Sequence, residues 1–281
     1  MSLVRRPAAA AAALLMLNGC ASSAGSTQSA QGQPASMPSP SKTASPTPPP
    51  VPAAPVAGSC HRLTFTAATQ PTDSSAAVPC SEVHSALTIY VGTFGLGSDG
   101  HPFAVESAQA QRQILRTCPR RLGGFLGGSR TTRRLSAFQV VGFSPTPEQG
   151  RRGAQWFRCD AVALRRAGHL ALLPARLHGV LNSPVALTRF GTCGTSAPGS
   201  AHFQRVMCSQ RHTWRAVEVV PLDPGARYLG PAAGTVADDR CKAVAATRAN
   251  GALKYTWSFE WPTRTQWHAG RRYGLCWLPG A

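Results

Sequence analysis

The 281-residue chain is short of acid: it holds 11 Asp and Glu against 29 Lys and Arg, a formal net charge of +18 at pH 7. Enzymes that cleave glycans need two placed carboxylates. Here only Glu82 and Glu218 lie near comparable stretches of the chain, and they do not align. Lysine is nearly missing too (Lys42, Lys242 and Lys254), so the positive charge is almost all guanidinium. There is no His-Glu-x-x-His and no Gly-x-Ser-x-Gly, which removes the sequence basis for a zinc protease or an α/β-hydrolase. The glycine-rich GGFLGG (123–128) lacks the Lys and the strand–helix context of a phosphate-binding loop. After Leu17 no apolar run is long enough for a transmembrane helix. These absences favour a binding module over an enzyme. They leave a wall-modifying enzyme of unrecognised type as the alternative, and they call for no metal and no cofactor.

The first 20 residues, MSLVRRPAAAAAALLMLNGC, place Arg5 and Arg6 before a short apolar run that ends in Leu-Asn-Gly-Cys. This pattern is a secretory signal over 1–19 rather than part of the fold. Its ending is similar to a bacterial lipobox, which implies a diacylglyceryl anchor on Cys20 and an outer-face, extracytoplasmic location. Residues 20–57 are Ser, Ala, Gln, Thr and Pro with little charge, a composition that cannot offset its own ordering entropy. This linker is expected to be a disordered tether.

Beyond it lie eight cysteines, an even set that argues for disulfides in an exported chain. They fall into two groups of four with matching surroundings. Gly58-x-Cys60 matches Gly191-x-Cys193, and Val78-x-Cys80-Ser-x-x-His84 matches Val206-x-Cys208-Ser-x-x-His212. PTPEQGRRGAQWFRC (145–159) matches PTRTQWHAGRRYGLC (262–276) without a gap. We read an internal duplication of about 120 residues, with domains at 58–185 and 186–281. Each is a small α+β unit: a strand after the His, a helix with the third Cys, a second strand, a Pro-Thr loop and a closing strand. On the first helix Val105, Ala108, Leu115, Cys118 and Leu122 are expected to share a face. On the second, Asp238 or Asp239 is expected to cap the helix.

Four cysteines allow three connectivities. The pairing favoured is Cys80–Cys118 with Cys60–Cys159, and Cys208–Cys241 with Cys193–Cys276. The Cys-Ser-x-x-His element is read as structural, His84 and His212 bonding backbone where the chain enters a strand. A thiol nucleophile needs a free thiolate beside a base, and a zinc site needs four clustered ligands.

Of the basic residues only Arg5, Arg6 and Lys42 precede residue 58, while every acid follows it. Outside a membrane such charge points to anionic lipid or wall polymers rather than to nucleic acid. The doubled arginines Arg151-Arg152 and Arg271-Arg272 occupy the matching Pro-Thr…Cys segments and are the candidate polyanion contacts, expected on exposed loops.

Together these motifs resemble the septum formation domain family of high-GC Gram-positive bacteria, in two tandem copies. The family often has Pro before the motif histidine, where Val83 and Arg211 stand here. The resemblance implies an exported or membrane-anchored module of cell-envelope or division processes and no catalytic residue. The implied partners are the membrane, through the lipid, and an anionic wall polymer or envelope protein.

Overall fold

A computed structural model describes residues 50–280 apart from Pro224, Ala226, Leu229 and 231–234. The signal, Cys20 and nearly all of the tether lie outside the described residues. Strand β1 (Cys60–His61) is flanked by β2 (Ala77–Val78) and β3 (Ala86–Thr93). β3 then pairs with β5 (Trp156–Arg166), which takes β4 (Phe138–Phe143) on its other side. The second half runs in the same order. β7 (Thr192–Gly194) is flanked by β8 (Arg205–Met207) and β9 (Trp214–Pro221). β9 pairs with β11 (Tyr273–Pro279), which takes β10 (Ser258–Glu260). The first half adds a turn of strand, β6 (His169–Leu170), against β5. Every described pairing is antiparallel, and the fold is a β-rich mixed α and β structure.

Both halves break register at the same place. The extra residue is Ile89 in β3 and Val217 in β9, each opposite the peptide that follows a strand cysteine, Cys159 or Cys276. Such a bulge bends the strand and sharpens its twist.

The long helix α2 (Ala108–Leu126) is N-capped by Ser107, whose Oγ accepts from Ala110 N at 3.1 Å. It buries Ala110, Ile114, Cys118 and Leu126. Leu115, expected inward, is 71% exposed, because the i, i+4 series through Cys118 runs through Ile114 instead. Helix and sheet approach so closely that a Cβ on Gly142 would overlap Ile114. In the second half α6 (Thr235–Arg248) starts before the two expected caps. Asp238 lies in its first turn and accepts from Trp257 Nε1 at 3.0 Å.

The Pro-Thr segments are not plain loops. They form short helices, α4 (Pro147–Arg151) and α7 (Arg264–His268), each opened by a reciprocal capping box. Thr146 Oγ1 accepts from Gln149 N at 3.2 Å while Gln149 Oε1 accepts from Thr146 N at 2.9 Å. Thr263 and Gln266 repeat both bonds. The second strand expected in the second half is short, the three residues of β10.

Four disulfides are present, each joining cysteines of one half: Cys60–Cys80, Cys118–Cys159, Cys193–Cys208 and Cys241–Cys276. The connectivity differs from the one favoured from sequence, and the topology explains why. β2 lies against β1 at the sheet edge, with Cys60 opposite Val78, so Cys80 comes within 5.3 Å Cα–Cα of Cys60. α2 packs on β5, well away from that edge, and Cys118 meets Cys159 among Ile114 and Phe157.

Residues Pro48–Ala281 form one compact unit, and the boundary expected near 185/186 falls inside it. β5 pairs with β8 through Arg166 and Val206. Leu135, at the end of the short helix α3 (Arg130–Leu135), packs with Ala216, Val219, Leu275 and Trp277 of the second half. The Phe138 ring lies 5.0 Å from that of Phe190, at the end of α5 (Ala186–Phe190). Burying a side chain of this size contributes about 1.5–3 kcal/mol, so the two halves stabilise one another.

Candidate anion-binding cleft

Where the halves meet, the seam is lined by arginine. A cavity of about 390 Å³ is walled by Arg134 of α3, Arg166 of β5, Arg205 of β8 and Arg271, with Tyr273 and Gln266 beside them. A second cavity, of about 760 Å³, adjoins it and shares Arg134, Ser136, Gln139 and Tyr273. It adds Arg120, Arg130 and Arg133. No residue lining either cavity is acidic.

Tyr273 opens β11 and sits under two guanidiniums, Arg134 at 4.1 Å and Arg271 at 4.7 Å from its ring centroid. Each such contact is worth about 0.5–2 kcal/mol, the more so when water is excluded. Burial pulls Arg271 below the ordinary arginine range; Arg205 and Arg134 push the same way, while Tyr273 and Glu260 oppose them. Arg134 is lowered too, by burial and by Arg130, with Tyr273 opposing. Glu260, behind the lining, is taken: it pairs with Arg205 and accepts from Trp277 Nε1 at 3.0 Å. Arg271 Nε is buried without a hydrogen-bond partner. Half-buried like charges that lack a counter-ion are costly, and an anion in the cleft would relieve them.

Of the four arginines singled out from sequence, the structure brings only Arg271 to this cleft. Arg272 stacks on the Trp267 ring at 4.1 Å and donates to the Trp267 carbonyl. Arg271 and Arg272 are thus half-buried rather than on an exposed loop. Arg151, which ends α4, and Arg152, its C-cap, are exposed, the first paired with Glu148 and the second donating to Pro50 O at 2.9 Å. The cleft arginines come from four separate elements, and no local spacing announces them. The sign in the chain was its paired arginines: Arg120-Arg121, Arg165-Arg166 and Arg271-Arg272 each give one member to the cleft walls, and Arg133-Arg134 gives both.

The histidine motif is built alike in both halves. His84 Nδ1 meets Glu82 O at 2.8 Å, and His212 Nδ1 meets Gln210 O at 2.7 Å. Each follows a turn, closed by Glu82 N to Pro79 O at 2.9 Å and by Gln210 N to Met207 O at 2.8 Å. Cys193, Cys208 and His212 are the one close group of metal-type side chains among the described residues. Their two sulfurs are bonded to each other, so no thiolate is available to a metal.

Sequence reasoning also missed a buried polar network in the first half. Arg158 and Asp160 flank Cys159 on one face of β5 and are 4% and 0% exposed. Arg158 also pairs with Asp73 at 2.5 Å. The available sign was two opposite charges, two residues apart, inside the apolar run WFRCDAVAL. If Cys276 is matched to Cys159, Leu275 and Trp277 take these places in β11, and both are fully buried.

A β-rich domain stapled by four disulfides has the chemistry of an oxidising, extracytoplasmic compartment. None of its described helices is long and apolar enough to cross a membrane. The chain belongs to the septum formation family, whose family model matches residues 57–276 in one span across both halves. No curated protein and no solved structure matches it. The family connects the chain with cell division and the cell envelope.

Proposed function

We propose that this chain is a lipid-anchored envelope protein that acts by binding, and that the arginine-lined cleft is where it holds an anionic partner. The single observation that carries the reading is the cleft: Arg134, Arg166, Arg205 and Arg271 converge on it and no acid lines it. Catalysis would need a nucleophile or a paired acid and base in reach of substrate, and the cleft lining offers guanidiniums, amides and hydroxyls instead. The anchor is Cys20 and the reach is the tether, which at full extension would span roughly 110 Å at about 3.1 Å per residue. The matching strand order, bulges, capping boxes and disulfides of the two halves support an origin by duplication, with the cleft formed where the copies meet.

The test is retention of the full chain on isolated cell envelope, measured at low and high salt for wild type and for Cys20→Ala. Wild type is expected to fractionate with membranes and to bind wall material in a salt-sensitive way. Cys20→Ala should lose the membrane and keep the salt-sensitive binding. Wall binding that ignores salt would rule out an anionic partner.

A further inference from the structure

The two cavities lie side by side and share one wall. Arg134, Ser136, Gln139 and Tyr273 face both; Arg166, Arg205 and Arg271 serve the inner cavity, and Arg120, Arg130 and Arg133 the outer one. We propose that they are consecutive subsites for a linear phosphodiester polymer, one phosphate in each and Arg134 between them. This rests on the reading of the cleft as an anion site and adds the class of ligand.

Three observations select that class. First, the positive charge comes in two groups joined by a common residue, which suits an anion that repeats along a chain better than a single small one. Second, the inner guanidiniums approach from α3, β5, β8 and the turn that precedes β11. A planar carboxylate accepts paired guanidinium bonds in its own plane, whereas a tetrahedral phosphate presents oxygens to donors that converge from several directions. Third, Tyr273, the aromatic ring common to both cavities, already carries Arg134 and Arg271 over it. The cleft is therefore built for a charged backbone and not for stacking bases or sugars on an open aromatic platform.

The phosphate polymer could stand free in the wall or be presented as lipid headgroups, and we commit to the polymer. A headgroup lattice presents its phosphates on a plane, while the two subsites lie along a groove.

The experiment measures affinity of the full chain, purified in detergent, for sn-glycerol 3-phosphate, for a synthetic oligo(glycerol phosphate), for oligoglutamate of equal charge, and for phosphatidylglycerol vesicles. The oligo(glycerol phosphate) should bind at least about tenfold more tightly than the monomer, since the second phosphate binds at high effective concentration. Arg120→Gln and Arg130→Gln alter exposed side chains and should leave the thermal melt in place. They should lower oligomer affinity about tenfold, as expected for loss of a charge-assisted contact, and lower monomer affinity less, since the inner subsite keeps all its arginines. Arg166→Gln, also exposed, should weaken both ligands. Equal affinity for oligomer and monomer, equal affinity for oligoglutamate, or binding to vesicles alone would overturn the phosphodiester assignment while leaving an anion cleft. Failure of every one of these anions to bind at low salt would overturn the cleft reading itself.

Discussion

Thr88 Oγ1 donates to Asp160 Oδ1 at 2.8 Å across the β3–β5 pair, in a place where neither side chain meets solvent. The other oxygen of Asp160 has only the Arg158 guanidinium, at 3.1 Å. Around them stand His61 of β1, its Nε2 3.3 Å from Thr88 Oγ1, and Asp73, which Ser75 bonds at 2.6 Å. Burial pushes the Asp160 carboxyl up to about 6 against the pull of Arg158 and Thr88. The native state therefore binds the extra proton between about pH 4 and about pH 6, and this group's contribution to stability falls as pH rises through that window. His61 works the other way. Burial and then Arg158 hold it below its ordinary value, so stability rises with pH as the unfolded histidine loses its proton near about pH 6.5. Burial raises Asp73, but its bonds to Ser75 and Arg158 win and lower it, so its contribution is lost only at more acid pH.

Asp160→Asn removes the first of these terms alone. Relative to wild type, the variant should gain on the order of 1–3 kcal/mol between about pH 4 and pH 6, whatever its absolute stability. Urea denaturation across that range reads the difference, and parallel stability–pH curves for the two proteins would refute it.

Disulfide mapping tests the topology. A non-reduced digest should give Cys60–Cys80, Cys118–Cys159, Cys193–Cys208 and Cys241–Cys276. A peptide joining Cys80 to Cys118 would contradict the fold. Cys118→Ser with Cys159→Ser opens a loop with a sequence separation of 41 and should cost about 4 kcal/mol by the chain-entropy estimate. Thermal melts of the oxidised proteins give the comparison.

How much of this was legible can be argued from a few residues. The even cysteine set, the helix around Cys118 and the strands after His84 and His212 followed from composition and period. Connectivity did not, because the Cys60–Cys80 bridge depends on β2 returning beside β1, and β2 has only two residues with no alternation to read. The capping boxes were legible, since the repeated Pro-Thr-x-x-Gln is itself the signature of a helix start. The cleft was not legible. Arg134 and Arg271 lie far apart in sequence, and only the seam between the halves brings both over Tyr273.

His84 and His212 use one nitrogen in the same way, and the prediction for both is a loss of stability without loss of binding. His84→Ala, at a site 2% exposed, should cost about 1–3 kcal/mol, as for an unmade buried bond. His212→Ala should behave alike, less what its unpartnered buried Nε2 already costs. Urea melts and envelope retention separate the outcomes. Full stability with lost retention in either variant would make the motif a binding element.

The two arginine pairs that look equivalent in sequence should part company in function. Arg151 and Arg152 are exposed at the end of α4, and an exposed pair such as Arg151–Glu148 is worth about 0–1 kcal/mol. Arg151→Gln with Arg152→Gln should therefore leave both the melt and the salt-sensitive retention nearly unchanged. Arg271 faces the cleft, and Arg272 covers Trp267 and holds its carbonyl, so each carries a different part of the second pair's effect. Arg272→Gln should lower stability by about 1–3 kcal/mol through the lost carbonyl bond and ring contact, with retention unchanged once the protein is folded. Arg271→Gln should lower retention at low salt and flatten its salt dependence, because one fewer counter-charge is released on binding. It should not unfold the protein, since burial already disfavours its charge. Equal retention for all three proteins at every salt concentration would show that the partner is read by a face other than the seam.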